Sequence, residues 1–414
     1  MAGFFPEFDF SRVGLVRENI LSAILKVLGT VALTMGWAVL AHSQTPPLSP
    51  KLSRSARALP LTEFYSTPNP LPEDKPGELI RFEQSDDYHL AYGISAFRIL
   101  YQSRSATGKD VAVSGVVLVP DRPVPAGGWP VIAWAHEFIG SARQCAPSLV
   151  KNLDEGPLLS MYVDLGYAVV ASDYAGLGTS FPHAALDARS NATDVVYSIP
   201  AARAALPQLG PKWVVAGYLQ GSSVAIGVAE AERELGDPNY LGAIAISGVA
   251  QPQEVFQHMA QGPADLMLVF LAQGIRTTFP KFRVEEMLTD KAMPLYQQIS
   301  LSCEARLGSE YTGKEMLKPG WEKNPYIEQF FTRNTLGQRP IGSPMLVITG
   351  ESDRNVPLTL TTATVARLCE EKDRVLFIKN SGSDGSAVLR NSMSEQISWI
   401  RARFAGHPAP SNCP

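Results

Sequence analysis

The chain has 414 residues, enough for one large domain with insertions or for two domains. Apolar residues make up 45% and charged residues 18%, a composition that excludes a disordered or coiled-coil chain. Lys and Arg number 36 against 40 Asp and Glu, so the net charge of −4 offers no electrostatic footprint for nucleic acid or an anionic membrane surface.

Arg12, Arg17 and Lys26 precede an apolar run over 27–41 that ends in Ala41-His42-Ser43. A positive flank, a short apolar stretch and a small-residue site predict a secretory signal peptide over 1–43, hence a secreted or periplasmic protein. An uncleaved anchor is the competing reading, but the run falls short of the ~20 residues that span a bilayer. No integral membrane anchor is therefore expected after cleavage. Residues 44–76 are rich in Pro and Ser without apolar periodicity and read as an extended arm over the domain surface.

Short apolar runs follow at 111–119, 130–135, 168–172, 213–216, 243–246, 345–348 and 375–378. Continuous rather than alternating runs suit strands buried on both faces. Helical patterns separate them: 191–206 with Ser190 or Asn191 as cap and Pro200 as a kink, 224–235 ended by Gly236, 358–371, and 392–404 closed by Gly406 and Pro408. This alternation predicts an α/β fold, a mostly parallel sheet with helices on both faces, over 77–250 and 341–414. Between the two parts, 251–340 shows helical stretches and no convincing strand. It reads as a helical cap over the carboxyl edge of the sheet, where open α/β sheets bind ligands; a packing subdomain without a binding role is the alternative.

Cys145, Cys303, Cys369 and Cys413 are an even set, which in an exported chain implies two disulfides with three pairings open. Cys413, beside the C-terminus, would tie the tail to a nearby helix, best the one bearing Cys369, leaving Cys145 with Cys303. Four free buried thiols are the competing reading. No pair has the close spacing of a zinc or redox site, and no cofactor or metal motif appears.

Gly217-Tyr218-Leu219-Gln220-Gly221 joins an apolar strand to a helix start, the layout of a nucleophile elbow. The first glycine permits a sharp turn, the second a close approach of strand and helix, and the middle residue sits at a strained backbone angle. With this elbow, the segments Trp134-Ala135-His136, Arg143-Gln144-Cys145-Ala146-Pro147-Ser148, Ser172-Asp173-Tyr174-Ala175-Gly176-Leu177-Gly178-Thr179, Pro182-His183 and Gly350-Glu351-Ser352-Asp353-Arg354-Asn355-Val356-Pro357 make the chain resemble the secretory lipase family. The resemblance implies an α/β-hydrolase fold with a helical cap, hydrolysis of carboxylic esters by a Ser-Asp-His triad, and a small-molecule ester or lipid ligand.

Carried over residue by residue, the triad is incomplete. Asp353 stands where the acid belongs, to orient an imidazole and stabilise the imidazolium. Leu219 stands where the nucleophile belongs, and a leucine has neither a lone pair to attack a carbonyl nor a proton to give a base. Ser222 is the nearby substitute, though it reads as a capping hydroxyl of the first helical turn. The base should follow Asp353, at Asp384 or Gly385, and neither is histidine. His407 alone lies downstream, in the tail. The loop for one oxyanion donor reads His136-Glu137-Phe138 where a glycine is expected after the histidine, and the other donor is the N–H of Gln220. His136 and His183 precede the elbow and read as structural. These residues leave three readings: an active esterase or lipase, a non-catalytic relative holding an acyl or hydrophobic ligand, or an enzyme with Asp384 as nucleophile or base.

Overall fold

The computed structural model describes residues 55–413 except 72, 74, 249, 264, 302, 304–310, 354 and 355. The signal peptide expected over 1–43 and the first part of the arm lie outside the described residues. Strands form at β1 (Leu79–Gln84), β2 (Ile94–Arg104), β3 (Asp110–Pro120), β4 (Trp129–Ala135), β5 (Ala168–Ser172), β6 (Leu209–Tyr218), β7 (Tyr240–Ile246), β8 (Met345–Gly350) and β9 (Val375–Asn380). Among the described residues they pair in the order β1-β2-β3-β5-β4-β6-β7-β8-β9. The first three pairings are antiparallel and the remaining five parallel.

The seven apolar runs are all strands, but the reading from sequence missed β1 and β2. Polar residues interrupt β2, and the fold supplies their partners. Arg98, 6% exposed, pairs with Glu83 and Asp87 and donates to the Tyr88 hydroxyl. Gln102 donates to Asp110, and Ser103 to Asp194. A buried charge is tolerable only with such partners.

Helices α1 (Gly156–Asp164), α2 (Ala188–Ala205) and α3 (Gln220–Leu235) connect the central strands. The insertion between β7 and β8 contains α4 (Pro252–Gln261), α5 (Met267–Thr278), α6 (Met293–Ile299), the short α7 (Gly313–Met316) and α8 (Pro325–Asn334). After β8 come α9 (Leu358–Glu370), α10 (Gly385–Asn391) and α11 (Met393–Phe404).

Successive strand residues face opposite sides of the sheet. Val131, Ala133, Val215 and Ala245 pack with residues of α2, α3 and α9 such as Ile199, Val228 and Leu368. Ile132, Trp134, Val214 and Ile246 pack with residues of α1, α10 and α11 such as Tyr162, Val388 and Ile400. The insertion has its own cluster, including Leu271, Phe282, Met287 and Phe330. Of the arm, Ala58 pairs with Val150 and Tyr65 is 1% exposed, donating to Ser148, so it is anchored more deeply than a surface strap.

α2 begins at Ala188, earlier than its apolar pattern suggests, because Asp187 rather than Ser190 or Asn191 is the N-cap; its carboxylate accepts the Ser190 N–H at 3.1 Å. Both disulfides form with the favoured pairing, Cys145–Cys303 and Cys369–Cys413, each with Cα atoms 5.4 Å apart. The first joins the loop after β4 to the segment after α6.

Candidate functional site

β6 ends at Tyr218 and α3 begins at Gln220, so Leu219 alone makes the turn, with φ 50° and ψ −114°. This is a sparsely populated conformation for a residue with a side chain. Its N–H donates to Ile246 of the adjacent strand at 3.0 Å, and its carbonyl accepts the Ser222 N–H at 3.0 Å. Both flanking glycines are required by contact. A Cβ on Gly217 would lie 1.9 Å from the Gly221 carbonyl oxygen, and one on Gly221 would lie 1.9 Å from that of Ala135. Backbone this close admits no side chain, which is the elbow geometry expected from sequence.

Helix rotation separates the two serines beyond the turn. Ser223 lines the cavity in front of Leu219, whereas Ser222 is turned away, 1% exposed, with its hydroxyl where a Cβ on Gly248 would sit. Ser222 does not take the N-cap position expected of it, which belongs to Leu219 itself. Gln220 opens α3, so its N–H has no partner within the helix and faces outward at the positive helix end.

Glu137 and Phe138, from the loop after β4, line the same cavity. Phe138 stacks edge-on against Phe270 of α5, with ring centroids 4.5 Å apart. His136 and His183 hold loops in place. The His136 ring lies 2.6 Å from the Glu137 carbonyl and 3.2 Å from that of Asp173, stacked on Tyr174. His183 Nδ1 lies 2.8 Å from the Ala175 carbonyl, and burial pushes its pKa down to about 4, which keeps the ring neutral.

Asp353 follows β8, is 8% exposed, and accepts the Val356 N–H at 3.0 Å. The loop after β9 folds onto it. Ser352 donates to the Ser383 carbonyl, and a Cβ on Gly385 would lie 2.7 Å from Asp353 Oδ2. Asp384 is exposed; its carboxylate accepts the Ala387 N–H at 2.7 Å, at the start of α10. The Tyr218 hydroxyl donates to the Gly385 carbonyl at 2.7 Å, tying this loop to the elbow. Burial raises the Tyr218 pKa, and Glu137, Glu155, Asp353 and Asp384 raise it further. His407 sits past α11 in a groove with Ser394, Ile397 and Arg401, none of which line the elbow cavity.

The cavity holds about 250 Å³. The core supplies Leu219 and Val356, and the insertion supplies Val255, Phe256, Met259 and Met267. Sequence reasoning gave the core wall and missed these insertion residues, because an amphipathic helix pattern does not say which neighbour its face meets. A polar clamp fixes that choice. The fully buried Asp187 carboxylate accepts Arg333 of α8 and Thr278 of α5, and Asn334 accepts the Ala188 N–H at 2.8 Å. The one visible signal was an aspartate just before a helix.

A model of the secretory lipase family matches residues 151–412. Lipase 4 of Candida albicans is 24% identical over 388 residues, covering 84% of this chain and 82% of that protein. Lipase 6 of the same organism is 22% identical over 396 residues, covering 85% and 82%. The crystal structure of Candida antarctica lipase A superposes with a TM-score of 0.74 at 16% identity, covering 86% of this chain and 89% of that one. The rice cell wall degrading esterase LipA of Xanthomonas oryzae superposes with a TM-score of 0.67 at 18% identity, covering 80% and 98%. With an elbow turn and a helical insertion on an α/β-hydrolase sheet, and a family match over more than half its length, this chain belongs to the secretory lipase family.

Proposed function

We propose that this family member is exported and holds an acyl ester or similar hydrophobic ligand in the elbow cavity without hydrolysing it. One observation carries the reading: the strained apex of the elbow, which in a serine hydrolase presents the nucleophile, presents Leu219 to an apolar cavity. Loss of nucleophile or base in a serine hydrolase costs roughly 10⁶ in kcat, leaving oxyanion and binding assistance of roughly 10³ to 10⁴ over water. Ser223 is the one hydroxyl among the described lining residues, and no imidazole lines the cavity to take its proton. Neither Asp384, which caps a helix, nor Gly385 offers an imidazole at the position where the base of the triad would stand. The two disulfides and the leader pattern support export.

The test pairs turnover with binding. Purified protein should hydrolyse p-nitrophenyl butyrate only at background rate and resist labelling by a serine-reactive phosphonate. A neutral medium-chain ester should raise its melting temperature. Turnover at ordinary esterase rates, abolished by the phosphonate, would overturn the proposal.

A further inference from the structure

One wall of the elbow cavity is a turn, Leu186-Asp187-Ala188, whose side chains divide between two environments. Leu186 and Ala188 line the cavity, while Asp187 between them enters the polar clamp of the insertion. Leu186 holds φ 63°, a left-handed conformation that a leucine adopts only where its surroundings impose it. Here they are close-packed backbone and buried hydrogen bonds. A Cβ on Gly274 of α5 would lie 1.9 Å from the Ala185 carbonyl oxygen, so helix and turn meet backbone to backbone. Thr277 and Thr278 of α5 donate to the His183 carbonyl and the Asp187 carboxylate, and Asn334 of α8 accepts the Ala188 N–H. Asp187 also caps α2 and pairs with Arg333 of α8, so three helices fasten the turn.

The fastened turn belongs to the closed end of the cavity. Leu219, Gln220, Met259 and Met267 are half-buried and mark where the cavity meets solvent, whereas Ala188, Ser223 and Asn334 are buried. An amphiphile therefore keeps its polar head by the elbow and sends its chain toward Ala188. Ala188 has the smallest side chain among the described lining residues, so the depth at this end exists because position 188 carries a single methyl group. We infer that the Leu186-Asp187-Ala188 turn sets the length of apolar chain that the elbow cavity accepts, with Ala188 as the stop. This rests on the proposed function and deepens it: the cavity binds, and the turn decides how long a chain it holds. Because the turn is fastened and its surroundings are densely packed, a side chain enlarged at 188 takes cavity volume rather than displacing the wall.

Straight 1-alkanols from 1-butanol to 1-dodecanol, titrated by isothermal calorimetry at one pH and salt, keep the head constant and change the chain. Affinity should rise by up to about fourfold per methylene until the chain meets the turn, and stay flat beyond that break. Ala188→Leu, checked for fold by near-UV circular dichroism, should bring the break forward by about two or three carbons, in line with the carbons leucine adds. Affinity for the alcohol at the parent's break, relative to 1-butanol, should then fall at least about tenfold. Leu186→Gly removes a wall side chain at a backbone angle that glycine adopts freely, and should move the break to longer chains, a gain that misfolding cannot produce. Should Ala188→Leu fail the fold check, Leu186→Gly decides alone. A parent series without a break, or a break that a folded variant leaves unmoved, overturns the inference while leaving the binding reading intact. Failure of every alcohol to bind the parent overturns both.

Discussion

Replacing Leu219 with glycine separates backbone strain from side-chain packing at the elbow. Held at φ 50° and ψ −114°, a leucine costs about 1–3 kcal/mol of strain that glycine does not incur. Against this, glycine adds about 0.5–1 kcal/mol of chain entropy to be lost on folding. Leu219 is half-buried, so its lost contacts amount to about half of the 1.5–3 kcal/mol for a fully buried leucine. The three contributions nearly cancel, and Leu219→Gly should stay within about 1 kcal/mol of the parent. Leu346→Ala in β8, where the side chain is 0% exposed, should cost about 2–5 kcal/mol. Urea titrations of the two variants compare these outcomes through midpoint and slope. A loss above about 2 kcal/mol for Leu219→Gly would show that the elbow turn is relaxed and that the side chain, not the backbone, decides its stability.

Restoring the chemistry should depend on where the imidazole is placed. Leu219→Ser with Asp384→His should raise p-nitrophenyl butyrate hydrolysis at least about 100-fold, short of the roughly 10⁶ that nucleophile and base command, because Glu137 and Phe138 stay on the oxyanion side. Leu219→Ser with Gly385→His should fail, since its Cβ would lie 2.7 Å from Asp353 Oδ2; higher activity from this pair refutes the placement. A separate prediction concerns pH. Asp194 is buried, accepts from Ser103 and the Ala175 N–H, and has its pKa pushed up to about 7 by burial. Its folded pKa exceeds the unfolded value of about 4, so its contribution to stability is present below pH ~4 and is lost as pH rises through about 7. Asp194→Asn can keep the Ala175 N–H bond on its oxygen while its amide donates to Ser103 Oγ in place of the bond the carboxylate accepted, and it should gain on the parent between pH 4 and 8, at up to about 1.4 kcal/mol per pH unit. Parallel stability profiles for the two proteins would refute the assignment.

What the sequence discloses follows from how local each signal is. The five parallel pairings involve strands whose apolar runs report burial on both faces, such as Trp213-Val214-Val215-Ala216. β2 reports nothing comparable, because its buried Arg98, Gln102 and Ser103 find their partners outside the strand, in Asp87, Asp110 and Asp194. At the site, Gly217 and Gly221 are legible because close backbone contact leaves glycine as the one residue that fits. Which of Ser222 and Ser223 faces the cavity is one helical step, about 100° of rotation, and no local pattern fixes it. The Met259, Met267 and Phe256 wall is equally hidden: the Asp187–Arg333 pair that docks the insertion joins residues from α5's neighbour and the start of α2.

The two disulfides close separate rings along the chain, 145–303 and 369–413, which neither overlap nor nest. A nick inside the first ring, through α5 for example, leaves both fragments covalently joined. A nick between 303 and 369 divides the chain into pieces that share no bond, one carrying Leu219 and most of the sheet and the other carrying the Cys369–Cys413 ring. Whether Asp353 departs with that second piece depends on which side of it the cut falls, and cuts from 304 to 352 take it away. The elbow and the loop bearing Asp353 are thus secured to each other by strand pairing of β7 with β8 and by the Tyr218–Gly385 hydrogen bond rather than by any cross-link.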